Sequence, residues 1–204
     1  MTVMVKICGM TDERGVQAAV DAGADALGFV FFDKSPRNLS PERAVSLAAK
    51  VPQHVRRVAV MLHPDARLWD EVSRVLRPDV LQTDAGDFLY LSVEHGVEKW
   101  PVLREGAVPE HIPATFVYEG PKSGTGETVD WEIAAEIARQ GQMILAGGLG
   151  VDNVATAIAK VMPYGVDVSS AVESQPGVKD VDKISAFVEA AKAAGNLRKH
   201  DNEI

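Results

Sequence analysis

Cysteine is nearly absent: of 204 residues only Cys8 carries a thiol. A lone thiol excludes an internal disulfide and fits a reducing compartment. Long apolar runs are missing as well. No stretch approaches the roughly 20 residues of a membrane-spanning helix, and the chain does not open with a cationic segment and apolar run like a secretory signal. A cytoplasmic location with no membrane partner is expected. Positive charge is in deficit, since 21 Lys and Arg against 29 Asp and Glu give a formal net charge of −8. Neutralising a nucleic-acid backbone needs clustered cations, so no nucleic-acid partner is expected. A small anionic ligand is still compatible, because backbone N–H groups and a few local cations hold one phosphate. Long linkers and low-complexity stretches are lacking too, and 204 residues suffice for one buried core but not for two ordinary domains. One barrel over residues 1–194 is expected, followed by the polar tail "GNLRKHDNEI" at 195–204.

What the chain does contain is a regular alternation. Eight apolar stretches read as strands: 3–8, 26–31, 55–62, 80–82, 100–103, 115–118, 143–146 and 165–168. Most are near-continuous hydrophobic runs, the pattern of parallel strands buried on both faces. Helical patterns lie between them at 11–22, capped by Thr11, and at 43–50, behind Ser40 and Pro41. Others cover 65–76, 130–140, 152–162 and 180–194. The crossover at 87–95 looks short, and the one at 105–113 holds Pro109 and Pro113 and reads as a loop or single turn. The fold class is therefore α/β, a single (β/α)8 TIM barrel with the fifth helix shortened or missing. An open doubly wound sheet, usually of five or six strands, is the competing architecture.

In such a barrel, reactive groups stand where strands end, and phosphates bind after the seventh and eighth strands. Three stretches fit. "KSGTGE" follows the sixth strand with Gly124 and Gly126, "AGGLG" ends the seventh with Gly147 and Gly148, and "GVDVSSAVE" ends the eighth with Ser169 and Ser170. Together they read as a phosphate cradle of close-approaching backbone and hydroxyls. Alternation along the first strand turns Val5 and Ile7 toward the helices, and Lys6 and Cys8 into the lumen. On the sixth strand Thr115, Val117 and Glu119 share a face, so Glu119 points inward at the mouth; a shifted register would put Tyr118 there. The eighth contributes Asp167. Arg37, in "KSPRN", lies on a loop over the same rim, where its guanidinium fork suits a carboxylate. A thiol near a lysine is a base if Lys6 lowers its pKa. Two other readings stand beside acid–base chemistry: a Schiff base on Lys6 with a sugar phosphate, and a phosphate-ligand-binding barrel without catalysis.

In this order, "KICGMT", "SPR", "GTGETVDW", "LAGGL" and "GVDVSSAVE…PGVKD" resemble the phosphoribosylanthranilate isomerase family of tryptophan biosynthesis over nearly the whole chain. The resemblance implies an intramolecular oxidoreductase, an aldose–ketose isomerase. It converts N-(5-phosphoribosyl)anthranilate to 1-(2-carboxyphenylamino)-1-deoxyribulose 5-phosphate by an Amadori rearrangement, with no cofactor and no metal. By resemblance Cys8 matches the general base, Arg37 the grip on the anthranilate carboxylate, and Asp167 the residue that orients the anthranilate end. The glycine-rich loops and Ser169–Ser170 match the phosphate cradle. The family's general acid is usually an aspartate ending the sixth strand, where this chain has Glu119. Its "QLHG" after the fourth strand reads "QTDAG" here, so Asp84 replaces a histidine. The implied partner is the small-molecule substrate, and the family's members occur as monomers and dimers. A histidine-pathway isomerase runs the same rearrangement with paired aspartates; a cysteine with a carboxylate points to the tryptophan branch.

Overall fold

In the computed structural model, which describes residues 3–121 and 128–201 (side chains to residue 197), the apolar stretches become eight parallel strands. They are β1 (Met4–Cys8), β2 (Ala26–Phe31), β3 (Arg56–Met61), β4 (Val80–Asp84), β5 (Glu98–Arg104), β6 (Thr115–Glu119), β7 (Gln142–Leu145) and β8 (Gly165–Val168). Neighbours pair in chain order and β8 returns to β1, so the sheet closes and the open-sheet alternative falls. The two-residue period then splits the core in two. Met4, Val58, Trp100, Val117 and Ile144 fill the lumen. Val5, Ile7, Phe29, Leu81 and Phe116 pack outward in the second cluster, beneath the helices. Each such side chain, fully buried, contributes about 1.5–3 kcal/mol.

The outer layer comprises α1 (Glu13–Asp21), α2 (Pro41–Ala48), α3 (Ala66–Leu76), α4 (Trp131–Ala138), α5 (Val154–Val161) and α6 (Val181–Asp201). Ser40, Asp65 and Asp130 cap three of them by accepting backbone N–H groups of the first turn. The cap of α1 is Asp12, which accepts from the Gly15 N–H at 2.7 Å, and not Thr11. Thr11 is drawn away because its hydroxyl donates to the Gly177 carbonyl at 2.6 Å, a contact from the far end of the chain. The fourth crossover is one 3₁₀ turn, Ala85–Leu89, and the described residues between β5 and β6 form no helix.

Two features were not expected. A hairpin, β9 (Glu173–Gln175) with β10 (Val178–Lys179), stands between β8 and α6. Also, α6 runs past residue 194: Gly195 is buried against Val3, whose Cγ1 would lie 2.8 Å from any added Cβ. Among the described residues no helix is long and apolar enough to cross a membrane.

Candidate active site

Parallel closure brings the C-terminal ends of all eight strands to one rim, and a cavity of about 370 Å³ opens there. Cys8, Glu119, Asp167 and Arg37 border it, as do Gly147, Gly148, Ser169 and Ser170. Gly124 and Gly126 lie outside the described residues. The register is settled at β6. Glu119 faces the cavity, whereas Tyr118 is buried in the outer layer, where desolvation pushes its phenol up to about 12.

Below the sulfur sits a charged pair. Lys6 is completely buried, and its Nζ donates to Asp167 Oδ2 at 2.9 Å across the β1–β8 seam, where the two residues are in register. Burial alone lowers a lysine's pKa, but Asp167 and Cys8 together outweigh it and keep Lys6 above its ordinary value. The thiol goes the other way from expectation. Burial pushes Cys8 up, and the opposing pull of Lys6 does not offset it, in part because Asp167 adds negative charge beside both. Gly28 on β2 makes room for this sulfur, since a Cβ there would lie 2.9 Å from Sγ. Removing one partner of a buried ion pair strands the other, so Lys6→Met should lose about 3–5 kcal/mol of stability in urea unfolding. A loss below about 1 kcal/mol, the value of an exposed pair, would show that Asp167 does not need Lys6.

Sequence reasoning missed the group that holds Glu119. Arg104 ends β5 in register with Glu119 and donates from Nη1 to Glu119 Oε1 at 2.7 Å. Its other edge donates to both carboxylate oxygens of Asp84. Asp84 lies 3.4 Å from His63 Nε2, and the His63 Nδ1 contacts Asp87 at 3.0 Å. Hydrogen bonding to Asp87 raises the His63 pKa. Asp84, the last residue of the fourth strand, is thus the anchor of Arg104. The signal was present, because inward alternation on the fifth strand puts Arg104 on the Val102 side.

A second cluster forms around the unexpected hairpin. Arg37 donates from Nε and Nη2 to the two carboxylate oxygens of Glu173, at 2.7 and 2.8 Å. The fork read from the sequence is therefore engaged by the protein itself. Lys179, buried, also donates to Glu173 Oε1 at 2.8 Å. Burial would raise the Glu173 carboxyl, yet Arg37 and Lys179 hold it below the usual range; burial lowers Lys179 despite its partner.

The remaining wall is backbone and hydroxyl. Gly147 and Gly148 take φ of 85° and 60°, left-handed values that explain why two glycines stand at the end of β7. Asn153 braces this turn by donating to the Gly148 carbonyl at 2.9 Å and accepting from the Gly150 N–H at 2.9 Å. Ser169 donates to the Cys8 carbonyl at 3.1 Å, tying this wall to the strand that bears the thiol. Two buried acceptors in the lining, Gln82 Oε1 and Asp167 Oδ1, have no hydrogen-bond partner among the described residues. Buried polar atoms are nearly always paired, so both suit donors of a bound molecule.

A closed parallel barrel with its reactive groups gathered at the C-terminal rim is the layout of the (β/α)8-barrel enzymes. The family model described as N-(5'phosphoribosyl)anthranilate (PRA) isomerase matches residues 5–190. The N-(5'-phosphoribosyl)anthranilate isomerase of Pelobacter propionicus is 38% identical over 201 residues, covering 93% of this chain and 96% of that protein. Among solved structures, TrpF from Jonesia denitrificans aligns with a TM-score of 0.79 at 34% identity, over 94% of this chain and 98% of its own. A phosphoribosyl anthranilate isomerase in complex with reduced 1-(o-carboxyphenylamino)-1-deoxyribulose 5-phosphate aligns with a TM-score of 0.78 at 29% identity, over 94% and 99%. The chain belongs to the N-(5'-phosphoribosyl)anthranilate isomerase family and is an enzyme of that kind.

Proposed function

We propose that the chain converts N-(5'-phosphoribosyl)anthranilate to 1-(2-carboxyphenylamino)-1-deoxyribulose 5-phosphate in tryptophan biosynthesis, with Glu119 as general acid and Cys8 as general base. The observation that carries this reading is that a thiol from β1 and a carboxyl from β6 border one cavity with the Gly147–Gly148 and Ser169–Ser170 turns. The phosphate anchors at those turns. Glu119 gives a proton to the ring oxygen as the bond from that oxygen to the anomeric carbon breaks, leaving an open-chain iminium. The positive nitrogen acidifies the neighbouring ribose C–H, and the Cys8 thiolate removes that proton. The enolamine then tautomerises to the ketone, so product and substrate are isomers. Asp167 Oδ1 accepts from the anthranilate N–H, and Arg37 holds the carboxylate from Nη1, the side that Glu173 does not engage.

The test is turnover, followed by the loss of anthranilate-type fluorescence. A single stoichiometric change without turnover identifies a binder and rejects the isomerase. The pH profile adds a sharper check. A base acts when deprotonated, and burial raises the Cys8 pKa, so the thiolate fraction is small at neutral pH and grows with alkalinity. In Glu119→Gln, where no acid's ionisation overlays that of the base, the residual kcat/KM should therefore climb from neutral pH into the alkaline range. A plateau reached by neutrality in that variant is incompatible with Cys8 as the base.

A further inference from the structure

We infer that Glu173 is the positioning residue for Arg37: it engages the Nε–Nη2 edge of the guanidinium and leaves the Nη1 side to bind the substrate's carboxylate at the cavity mouth. The inference rests on the proposed grip of Arg37 and names what makes that grip selective.

Arg37 lies on a loop after β2, where a long side chain would ordinarily sample many rotamers. Holding such a side chain still costs up to about 2 kcal/mol of entropy. Here that ordering is already done. Both oxygens of Glu173 accept from Arg37, 136 residues away in the chain, and the pair is only 17% and 4% exposed. The Arg37 stem runs beside Gly9, at φ 79°, where an added Cβ would lie 2.4 Å from Arg37 Cδ. Among the described residues Nη1 has no acceptor, and Arg37 borders the cavity.

Glu173 is itself fixed from several sides. Lys179 Nζ donates to Oε1, the Gly177 N–H to Oε2 at 3.3 Å, and Lys183 Nζ to the Glu173 carbonyl at 2.8 Å. The hairpin turn presses on the loop that carries Arg37, for a Cβ on Gly177 would lie 2.6 Å from the Pro36 carbonyl oxygen. One carboxylate faces two cations, so the cluster keeps a surplus positive charge. That surplus favours a second carboxylate, the one on the substrate, over a neutral aryl group.

The experiment measures KM and kcat on phosphoribosylanthranilate and on phosphoribosylaniline, which lacks the carboxylate. For Glu173→Gln, KM on the carboxylated substrate should rise about 10–100-fold, with kcat falling far less. On the aniline analogue KM should move by less than about 3-fold. Glu173→Asp should recover part of the loss. Because Glu173→Gln strands Lys179, the pair Glu173→Gln/Lys179→Met is measured alongside and should show the same selective loss. Combining Glu173→Gln with Arg37→Ala should add nothing to Arg37→Ala alone. Equal rises on both substrates, or additive effects in the combination, would mean that Glu173 merely stabilises the fold, and would overturn the inference. If Arg37→Ala abolishes the preference for the carboxylated substrate while Glu173→Gln keeps it, the inference fails and the grip of Arg37 stands. If Arg37→Ala itself leaves the preference intact, the grip fails and the inference goes with it.

Discussion

Cys8→Ala should lose about 10²–10⁴ in kcat, the usual contribution of one proton-transfer group, while the barrel stays folded. The side chain removed is small, and the cavity it borders already opens to the rim, so the packing cost is that of a sulfur and not of a core aliphatic. Cys8→Ser should lose nearly as much. A serine hydroxyl has the right shape but ionises far less readily than a thiol, and burial that already raises the cysteine would raise it further. Circular dichroism and unfolding curves separate a chemical loss from a structural one. Wild-type turnover in Cys8→Ala would remove the base from the mechanism.

Glu119→Gln should cost a similar factor, about 10²–10⁴ in kcat, with substrate binding much less affected. The amide keeps the length of the side chain, and its oxygen can still accept from Arg104 Nη1, so the group stays in position but has no acidic proton to give. Glu119→Asp restores the acid one methylene shorter, and Arg104, anchored by Asp84, stays to receive it. The aspartate variant should therefore retain more activity than the glutamine variant. If instead the aspartate variant falls further than the glutamine variant, reach to Arg104 matters more than acidity, and Glu119 is a positioning group. Normal kcat in Glu119→Gln would leave the ring-opening step without its acid.

Much of the scaffold was legible because burial on both faces leaves a plain mark. Strands at 26–31 and 165–168 match β2 and β8 residue for residue, and Ser40, Asp65 and Asp130 announce their helix starts by short-range hydrogen bonding. Where a distant residue competes, the local rule fails. Thr11 has the chemistry of a cap, but Gly177 takes its hydroxyl and Asp12 caps the helix. The hairpin of β9 and β10 left no apolar mark, being three and two residues long and partly polar. For the site, alternation gave the inward face of Cys8, Glu119 and Asp167. It did not give their neighbours around the barrel axis.

Those neighbours change the chemistry. A lysine two residues from a cysteine suggested an activated thiol, but Lys6 meets Asp167 from the other end of the chain, and burial then raises the sulfur's pKa. Arg37 looked like a free fork until Glu173 was found in it.

The order of the eight barrel strands, the inward sides of the first, sixth and eighth and the glycine pair at the end of the seventh followed from the sequence alone, because periodicity and backbone sterics act over a few residues. Which charge stands against which was decided only by closure of the barrel. Electrostatic pairing depends on distances of about 3 Å between groups more than a hundred residues apart, as in Lys6–Asp167 and Arg37–Glu173, and no local pattern encodes such a distance.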